Sequence, residues 1–503
     1  MATTRLLAKL RATVVGFSIL IILTVAHVGA AKAHLDFESS SPSNKAELNK
    51  SIKKITLTFT NPGQPVGSGI VLYDQDGNQR TTQLSTPDSG QTWVVEADER
   101  LRSGAYGVKW KVAAPDSHPK SGKLTFSIVE AGTSSGPADS SPTSTAQLEE
   151  ALTEVVPVAA QWVRWLGLAF VITGCLTSVG GLIILVFVIA GRPPELRRLL
   201  NTVRLGAAVV IGGTLIQVWA DSSLRQEGDW FAAIRTGNVL EILGQDGYVW
   251  PIALRLVGAV LLIAGLAMKT RVAPSVAQPR ESSETFEAVD VARSPLALVG
   301  AVGLLISFLF DGHTVTTTPR WLVMVSDVSH VLAAATWTAG LLFLTIVLFQ
   351  RKTSKQRYDG SYMAIRFSSL ASLSVALVGL SGAAMAWVIL EYPSQLWTTS
   401  WGQLLVLKVL LVTVVSAMGT YNHFRLLPLL KSDIHVDLSS RSMDANPSKT
   451  SDAGGLLSVA TVDVGKDAEI ASQRLLRTVA FELVILVVVV AVTALLVNAA
   501  TVT

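Results

Sequence analysis

Three residues in the first quarter of the chain have side chains that bind metal ions. His34 follows a small-residue cleavage motif, and Asp116 and His118 lie together in the loop from Pro115 to Pro119. Cleavage before His34 would make it the first mature residue, with an α-amine and an imidazole for one metal ion. A second imidazole and a carboxylate complete a tetragonal nitrogen and oxygen site, the geometry that Cu(II) prefers. The amine must lose a proton with a pKa of about 8 to bind, so we expect the site to depend on pH.

The N-terminal segment 1–33 has the features of an export signal. Basic residues at its start precede the apolar run Val14 to Val25, and Ala31-Lys32-Ala33 provides the cleavage site. The segment contains four basic and no acidic residues, so the other residues, with 37 of each sign, carry no net charge. The formal charge of +4 therefore belongs to the signal and indicates no nucleic-acid partner. The single cysteine, Cys175, excludes intramolecular disulfides and cysteine-based metal sites held by this chain alone.

A second group of potential ligands lies among apolar residues later in the chain. His313 follows one apolar stretch, and Met324, Asp327 and His330 recur every three residues in the next. Side chains three residues apart share a helix face, so we expect these three to lie together. Thioether, carboxylate and imidazole groups inside a bilayer are candidates for function, and this set suits Cu(I). The alternative is structural: Asp327 orients His330 or neutralises a basic residue, for which the candidates are Arg164, Arg255 and Lys408.

The elements that position the first group are short strands. Apolar and polar residues alternate, with turn residues between the runs, over 54–59, 69–73, 106–112 and 122–129. Several short strands at this spacing indicate an all-β sandwich over residues 34–130. Residues 131–154 begin with a stretch rich in Gly, Ser, Thr and Pro and are predicted to be a flexible linker.

Residues 155–503 are predicted to form an all-α membrane domain with eight transmembrane helices. The mean hydropathy of +0.45 is too high for a soluble protein. Eight apolar stretches are long enough to cross about 30 Å of hydrocarbon; they lie near 158–190, 203–220, 250–268, 295–312, 322–349, 364–390, 402–424 and 475–499. With the β domain outside, the predicted inner segments carry 20 Lys and Arg against three in the outer loops, which places both mature termini outside. The polar segment 431–470 is predicted to be a mobile cytoplasmic loop.

The β domain resembles the bacterial copper-binding family CopC. The resemblance covers residues 34–130 and rests on the start at His34-Leu35, on Gly104 to Trp110 and on the loop Asp116-Ser117-His118-Pro119. It implies a sandwich of the Ig-like or cupredoxin-like kind in which His34, Asp116 and His118 bind Cu(II). Some members also have a methionine-rich Cu(I) site, but residues 34–150 contain no methionine.

The membrane half resembles the family CopD. The resemblance covers roughly 155–500 and rests on motifs spread over four spans: Gly312-His313, Asp327 to His330 with Trp337 and Gly340, Trp401-Gly402 with Lys408, and Phe481-Glu482. The whole chain is therefore similar to a CopC–CopD fusion of the copper-uptake or copper-resistance type.

This resemblance implies a transporter and metal-binding protein rather than an enzyme. The exported domain would capture Cu(II), and the membrane domain would conduct copper inward, as Cu(I) or Cu(II), past His313, Met324, Asp327 and His330. The expected location is a bacterial cytoplasmic membrane, crossed several times, with the N-terminal domain and the C-terminus outside. Besides copper ions and the lipid bilayer, the expected partners are an extracellular copper donor or a cytoplasmic copper chaperone. No nucleotide-binding motif is present.

Two other functions stay open from the residues alone. An N-terminal histidine with a second histidine also describes the copper brace of oxidative polysaccharide-cleaving enzymes, although Asp116 would occupy a position that oxygen needs. Transmembrane electron transfer through haem, with copper reduction, is the other. Two haems with paired axial histidines need four intramembrane imidazoles, whereas the spans offer three, at His313, His330 and His423. This count excludes two such haems and allows one.

Overall fold

The computed structural model divides the chain into two compact units. One comprises Met1–Trp162, Val218–Val249 and Phe310–Met324, and the other comprises Val163–Gln217, Trp250–Leu309 and Val325–Thr503. The structure describes residues 35–113, 119–129, 142–153, 157–189, 193–226, 228–235, 239–240, 243, 248–269, 272–274, 287–289, 294–310, 319–353, 361–390, 392–430 and 454–498.

Nine strands form a two-sheet sandwich at the start of the chain. They are β1 (Phe37–Ser41), β2 (Ala46–Leu48), β3 (Ile52–Phe59), β4 (Gln64–Asp74), β5 (Gln79–Arg80), β6 (Thr82–Ser85), β7 (Thr92–Leu101), β8 (Gly104–Ala113) and β9 (Pro119–Ile128). One sheet has the order β1-β3-β7-β6 and the other β2-β9-β8-β4-β5. All neighbours are antiparallel except β2 and β9, which run parallel.

The core of the sandwich is made by alternate residues of the long strands. Ile55, Leu57 and Phe59 of β3 are at most 1% exposed, and they meet the inward residues of the other sheet, which include Val108, Val112, Leu124 and Phe126. Side chains alternate between the faces of a strand, so a period of two buries one face of each sheet. Burying each large apolar side chain contributes about 1.5–3 kcal/mol. The sequence prediction of an all-β sandwich is confirmed.

A helix occupies part of the segment predicted to be a flexible linker. Residues Pro142–Leu152 form α1, which packs on β4 and β8 with Leu148 and Leu152 buried. Lys109 of β8 donates to the carbonyl of Thr153 at 3.1 Å. The sequence prediction treated 131–154 as one segment because its first part is rich in Gly and Ser. The residues of α1 include the good helix formers Ala, Gln, Leu and Glu, and its two leucines are four residues apart. The prediction of flexibility over 131–154 therefore does not hold for residues 142–152.

The second half of the chain is helical. The helices are α2 (Val158–Phe187), α3 (Pro193–Arg225), α4 (Val249–Lys269), α5 (Pro295–Ile306), α6 (Arg320–Thr353), α7 (Ser361–Ile389), α8 (Gln395–Thr398), α9 (Ser400–Tyr421) and α10 (Gly454–Asn498). Short 3-10 turns lie at Ala232–Ile234 and Ser307–Phe310, and β10 (Val272–Pro274) pairs with β11 (Glu287–Val289). A π turn at Asn422–Leu426 continues α9.

Seven of the helical segments in the described residues are long and apolar enough to cross a membrane. They run over Val158–Phe187, Pro194–Arg225, Val249–Ala267, Arg320–Thr353, Met363–Ile389, Ser400–Leu430 and Ile470–Val497. The eighth stretch, predicted near 295–312, is the shorter apolar helix Pro295–Phe310. It packs closely on α4, since a Cβ on Gly300 would lie 2.4 Å from the carbonyl oxygen of Gly258. Small residues allow such backbone approach between membrane helices. The all-α membrane domain is confirmed, with eight as an approximate count.

The last helix begins earlier than the sequence prediction. The segment 431–470 was expected to be a mobile loop, but α10 starts at Gly454 and continues through the apolar span to Asn498. Residues 431–453 lie outside the described part of the chain. Scattered polar residues suggested a loop there, but 454–461 consists mainly of Gly, Leu, Val, Ala and single hydroxyl residues, which a helix accommodates.

Candidate metal sites

The predicted ligands fall partly outside the described residues. Four of them are not described: His34, Asp116, His118 and His313. The other three, Met324, Asp327 and His330, are described and lie on α6. Among the described residues, no group of three or more His, Cys, Asp or Glu side chains gathers at one point. On the sandwich, the described residues nearest to the predicted ligands are Leu35, Ala113 and Pro119.

The chain after His34 is fixed on the sandwich. Leu35 is 1% exposed and belongs to the core, and the backbone N–H of Asp36 donates to Thr60 Oγ1 at 2.9 Å. The N–H of Thr60 donates back to the carbonyl of Asp36 at 2.9 Å. A buried leucine with two hydrogen bonds beside it therefore fixes the chain on the sandwich from Leu35 onward.

The loop that contains Asp116 and His118 joins two paired strands. Strands β8 and β9 pair along their whole length, and the last pair before the loop is Ala113 with Pro119. Just beyond the loop, Lys120 Nζ lies 3.2 Å from Asp36 Oδ1. His34 and His118 are each two residues from this ion pair, which is at most about 7 Å of extended chain. Asp36 and Lys120 thus bring the segment that follows His34 and the first residues of β9 together at one end of the sandwich.

Aromatic rings fix the two strands below this end. Phe37 stacks on Trp110 with ring centroids 5.7 Å apart, and Phe59 meets the same ring edge-on at 5.1 Å. Gly122 lies opposite Trp110 on β9, and a Cβ there would lie 2.4 Å from the indole ring. The glycine is therefore required for Trp110 to lie across β9 and receive Phe37. Through this stack, β1, which follows His34, is held against β8, which leads to Asp116.

In the membrane domain, a serine of a neighbouring helix determines which ring nitrogen of His330 carries a hydrogen. His330 Nδ1 lies 3.1 Å from Ser381 Oγ on α7. The Ser381 hydroxyl donates to the carbonyl of Leu377, so its oxygen accepts from Nδ1–H. The other nitrogen, Nε2, then has the lone pair, and this is the form in which an imidazole binds a metal ion. Nothing in the sequence singled out Ser381, since serines are frequent along α7.

The face of α6 that contains His330 also meets a lysine. Met324 is 2% exposed, and Asp327 and His330 are partly buried. Lys408 of α9 lies close enough to Asp327 and His330 for its charge to interact with both. Lys408 was one of the three basic residues that the sequence offered for Asp327. Another of them, Arg255, is 2% exposed, donates to Gln217 at 3.2 Å and lies over the ring of Phe308.

Two further polar contacts join membrane helices. Arg351 of α6 forms a two-pronged ion pair with Glu195 of α3, at 2.8 and 3.0 Å, and both side chains are buried. Asn422 of the π turn donates to Glu482 of α10 at 2.6 Å and accepts from Thr478 at 2.8 Å. Glu482 belongs to a motif that is visible in the sequence, whereas Asn422 and Thr478 do not. Small polar residues are common in helices, and no periodic signal marks these two.

Comparison with known proteins identifies both halves of the chain. The model of the CopC domain matches residues 37–129, and that of Copper resistance protein D (CopD) matches 362–496. The copper transport protein CutJ of Bacillus subtilis (strain 168) is 24% identical over 78% of this chain and 68% of its own length. Copper resistance protein C of Xanthomonas campestris pv. juglandis is 26% identical over 22% of this chain and 91% of its own length. The crystal structure of CopC from Methylosinus trichosporium OB3b is 25% identical over 20% of this chain and 98% of that chain, with a TM-score of 0.18. The chain therefore carries a CopC domain at residues 37–129 followed by a CopD domain at residues 362–496.

Proposed function

We propose that this protein captures Cu(II) on its exported domain and moves copper inward across the membrane through its helical domain. His34, Asp116 and His118 are the proposed Cu(II) ligands. His313, Met324, Asp327 and His330 form the proposed path in the membrane. The observation that carries the proposal is the 3.2 Å pair of Asp36 and Lys120, which connects the segment after His34 to the segment after His118.

The chemistry of the exported ligands fits Cu(II). An N-terminal histidine chelates through its amine and its imidazole, and the second imidazole and carboxylate supply two more donors. Each of these groups binds in its deprotonated form, so Cu(II) capture becomes more favourable as the pH rises to the value at which the amine is neutral. Leu35 and the Phe37–Trp110 stack hold the two segments in place, which reduces the ordering cost of binding.

The membrane ligands fit a softer ion. The Ser381 contact leaves Nε2 of His330 with its lone pair, and Met324 and Asp327 precede it at three-residue intervals on α6. Thioether and imidazole groups suit Cu(I), whereas the carboxylate offsets the positive charge of the ion and of Lys408.

A hydrogen bond ties strand β8 to another segment of its own compact unit. Lys111 Nζ on β8 donates to the carbonyl of Leu224, in the last turn of α3, at 2.7 Å. Leu224 belongs to the same compact unit as the sandwich. Lysine side chains commonly bond the last carbonyls of a helix, which have no partner within it. Lys111 is five residues before Asp116, so this contact anchors the strand that leads to the proposed ligand loop.

The orientation follows from the charges. The predicted export signal and the 20:3 distribution of Lys and Arg support an orientation with the sandwich and the C-terminus outside a bacterial cytoplasmic membrane. An extracellular copper donor or a cytoplasmic chaperone would serve the two ends of the path. The chain is proposed to act as a transporter, with copper as its cargo.

Copper uptake by cells that produce His313→Ala or His330→Ala tests this proposal. We expect each variant to lower uptake at least tenfold, since removing one soft ligand interrupts the path. Met385→Leu is the control, because this residue lies on α7 outside the proposed set, and it should keep normal uptake. Normal uptake in both histidine variants would contradict the proposed path.

A further inference from the structure

A second polar cluster lies between the π turn that continues α9 and the helix α10, away from the proposed copper ligands. Its members are Asn422 of the π turn and Thr478 and Glu482 of α10. Glu482 is 1% exposed, although it is a carboxylic acid in a span of high hydropathy. π turns frequently occur at functional sites, and ionisable residues inside membrane spans are candidates for ion or proton pathways.

The hydrogen bonds of the cluster have a defined direction. The Thr478 hydroxyl donates to Asn422 Oδ1 at 2.8 Å, which turns the amide nitrogen of Asn422 toward Glu482. That nitrogen donates to Glu482 Oε1 at 2.6 Å. Glu482 therefore receives one hydrogen bond from a neutral group, and its second oxygen is the place for a proton.

The other buried glutamate of the membrane helices has a different environment. Glu195 receives two hydrogen bonds from the Arg351 guanidinium, whose positive charge balances its own. Among the residues that the structure describes, Glu482 has no cationic partner of this kind. A buried carboxylate without a counter-charge is costly, and it avoids the cost by holding a proton.

The titratable groups near Glu482 are exposed or contact another residue. On α10 itself, Arg474 and Arg477 are exposed. On the helix packed against it, Tyr421 is exposed and His423 turns to Ser368 of α7, with Nδ1 at 2.5 Å from the hydroxyl. Arg425, in the same π turn, is also exposed.

The cluster is joined to the first membrane site through α9, which carries Lys408 beside Asp327 and His330 and continues into the π turn of Asn422. Asn422 follows Lys408 by fourteen residues, which is about 21 Å along a helix axis. It lies toward the end of α9 that the charge distribution assigns to the cytoplasm. A cation that passes Asp327 and His330 on its way inward would next meet Glu482.

We propose that Glu482 is a proton-binding site that couples copper movement to proton release. It holds one proton when no cation is near and gives it to water on the inner side when Cu(I) arrives. The carboxylate then balances the charge of the ion. When copper leaves toward the inner side, Glu482 takes up a proton from the outer side, so each cycle moves one copper ion and one proton inward. At each step, one positive charge beside the Glu482 carboxylate, the proton or Cu(I), replaces the other. This inference rests on the proposed transport of copper.

The test uses the full chain in liposomes that enclose a pH-sensitive dye, with ascorbate to keep added copper as Cu(I). Copper entry and internal pH are followed together for the wild type, Glu482→Gln and Thr493→Val. Thr493 is the control, because it lies on α10 and bonds its own helix at Val489. We expect one proton per copper for the wild type and the control, and copper without proton release for Glu482→Gln.

Two results would overturn the coupling: copper entry in the wild type without proton release, or unchanged proton release in Glu482→Gln. No copper entry in the wild type would contradict the transport proposal, and the coupling would fail with it. Infrared spectra provide a measurement that does not require transport or the variant. We expect a carboxylic-acid band in the wild type at neutral pH that disappears when Cu(I) is added, and a band that persists would refute proton exchange.

Discussion

The ion pair between Asp36 and Lys120 predicts how much a single substitution changes the Kd for Cu(II). We predict that Lys120→Met weakens Cu(II) binding only slightly, because the pair positions the two chain segments and does not bind the metal. Both side chains are about half exposed, 49% for Lys120 and 46% for Asp36. Exposed pairs contribute about 0.2–1 kcal/mol, which corresponds to an increase in Kd of about 1.4-fold to fivefold.

The assay is a copper titration of the full chain, produced to begin at His34, in low and high salt. Lys123→Met is the matched control, since Lys123 is an exposed lysine of the same strand, and it should leave the Kd unchanged. In about 1 M salt, where the screening length falls to about 3 Å, the effect of Lys120→Met should nearly vanish. A loss above tenfold, or one that persists in high salt, would refute a positioning role. Asp36→Asn should match Lys120→Met, and a much larger loss would identify Asp36 as a ligand.

Two further predictions concern single side chains. Ser381→Ala should reduce copper uptake, because His330 loses the acceptor that keeps the hydrogen on Nδ1. Ser374→Ala is the control and should not reduce uptake, since Ser374 is a buried serine of the same helix that donates to the carbonyl of Leu370. Equal uptake in the two variants would contradict this role of Ser381. Hydrogen bonding from Lys54, with a smaller contribution from Lys53, lowers the pKa of Glu96 from its ordinary 4.5, so its contribution to stability is present above about pH 4.5 and is lost as the pH falls through the folded value. Unfolding midpoints measured against pH should therefore fall less steeply at acid pH in Glu96→Gln, and parallel curves would exclude this contribution.

The elements of the fold were largely predictable from the sequence. Strands such as β3 and β8 bury one face, so the alternation of their residues is visible without any tertiary information. The long spans were equally clear, because hydrophobic length alone defines them. The helix α1 was not predicted because its two buried leucines are too few to outweigh the Gly- and Ser-rich composition before it.

The polar contacts between membrane helices could be predicted only in part. Asp327 and His330 stand out because charged and titratable residues are rare in spans. Their neighbours Ser381 and Lys408 depend on which helices are adjacent and how each is rotated, and the sequence of one helix does not specify this. The same reason applies to Asn422, whose direction depends on a π turn that has no sequence signature.

We propose that export of this domain creates its first copper ligand, because cleavage before His34 would free its α-amine. The most direct test is a Cu(II) titration of the chain that begins at His34, beside the same chain extended by one methionine. We predict that the extension weakens binding at least tenfold and removes the dependence on a titrating amine near pH 8, because the methionine converts the amine of His34 into an amide. Equal affinity and an unchanged pH dependence in the two chains would contradict the claim.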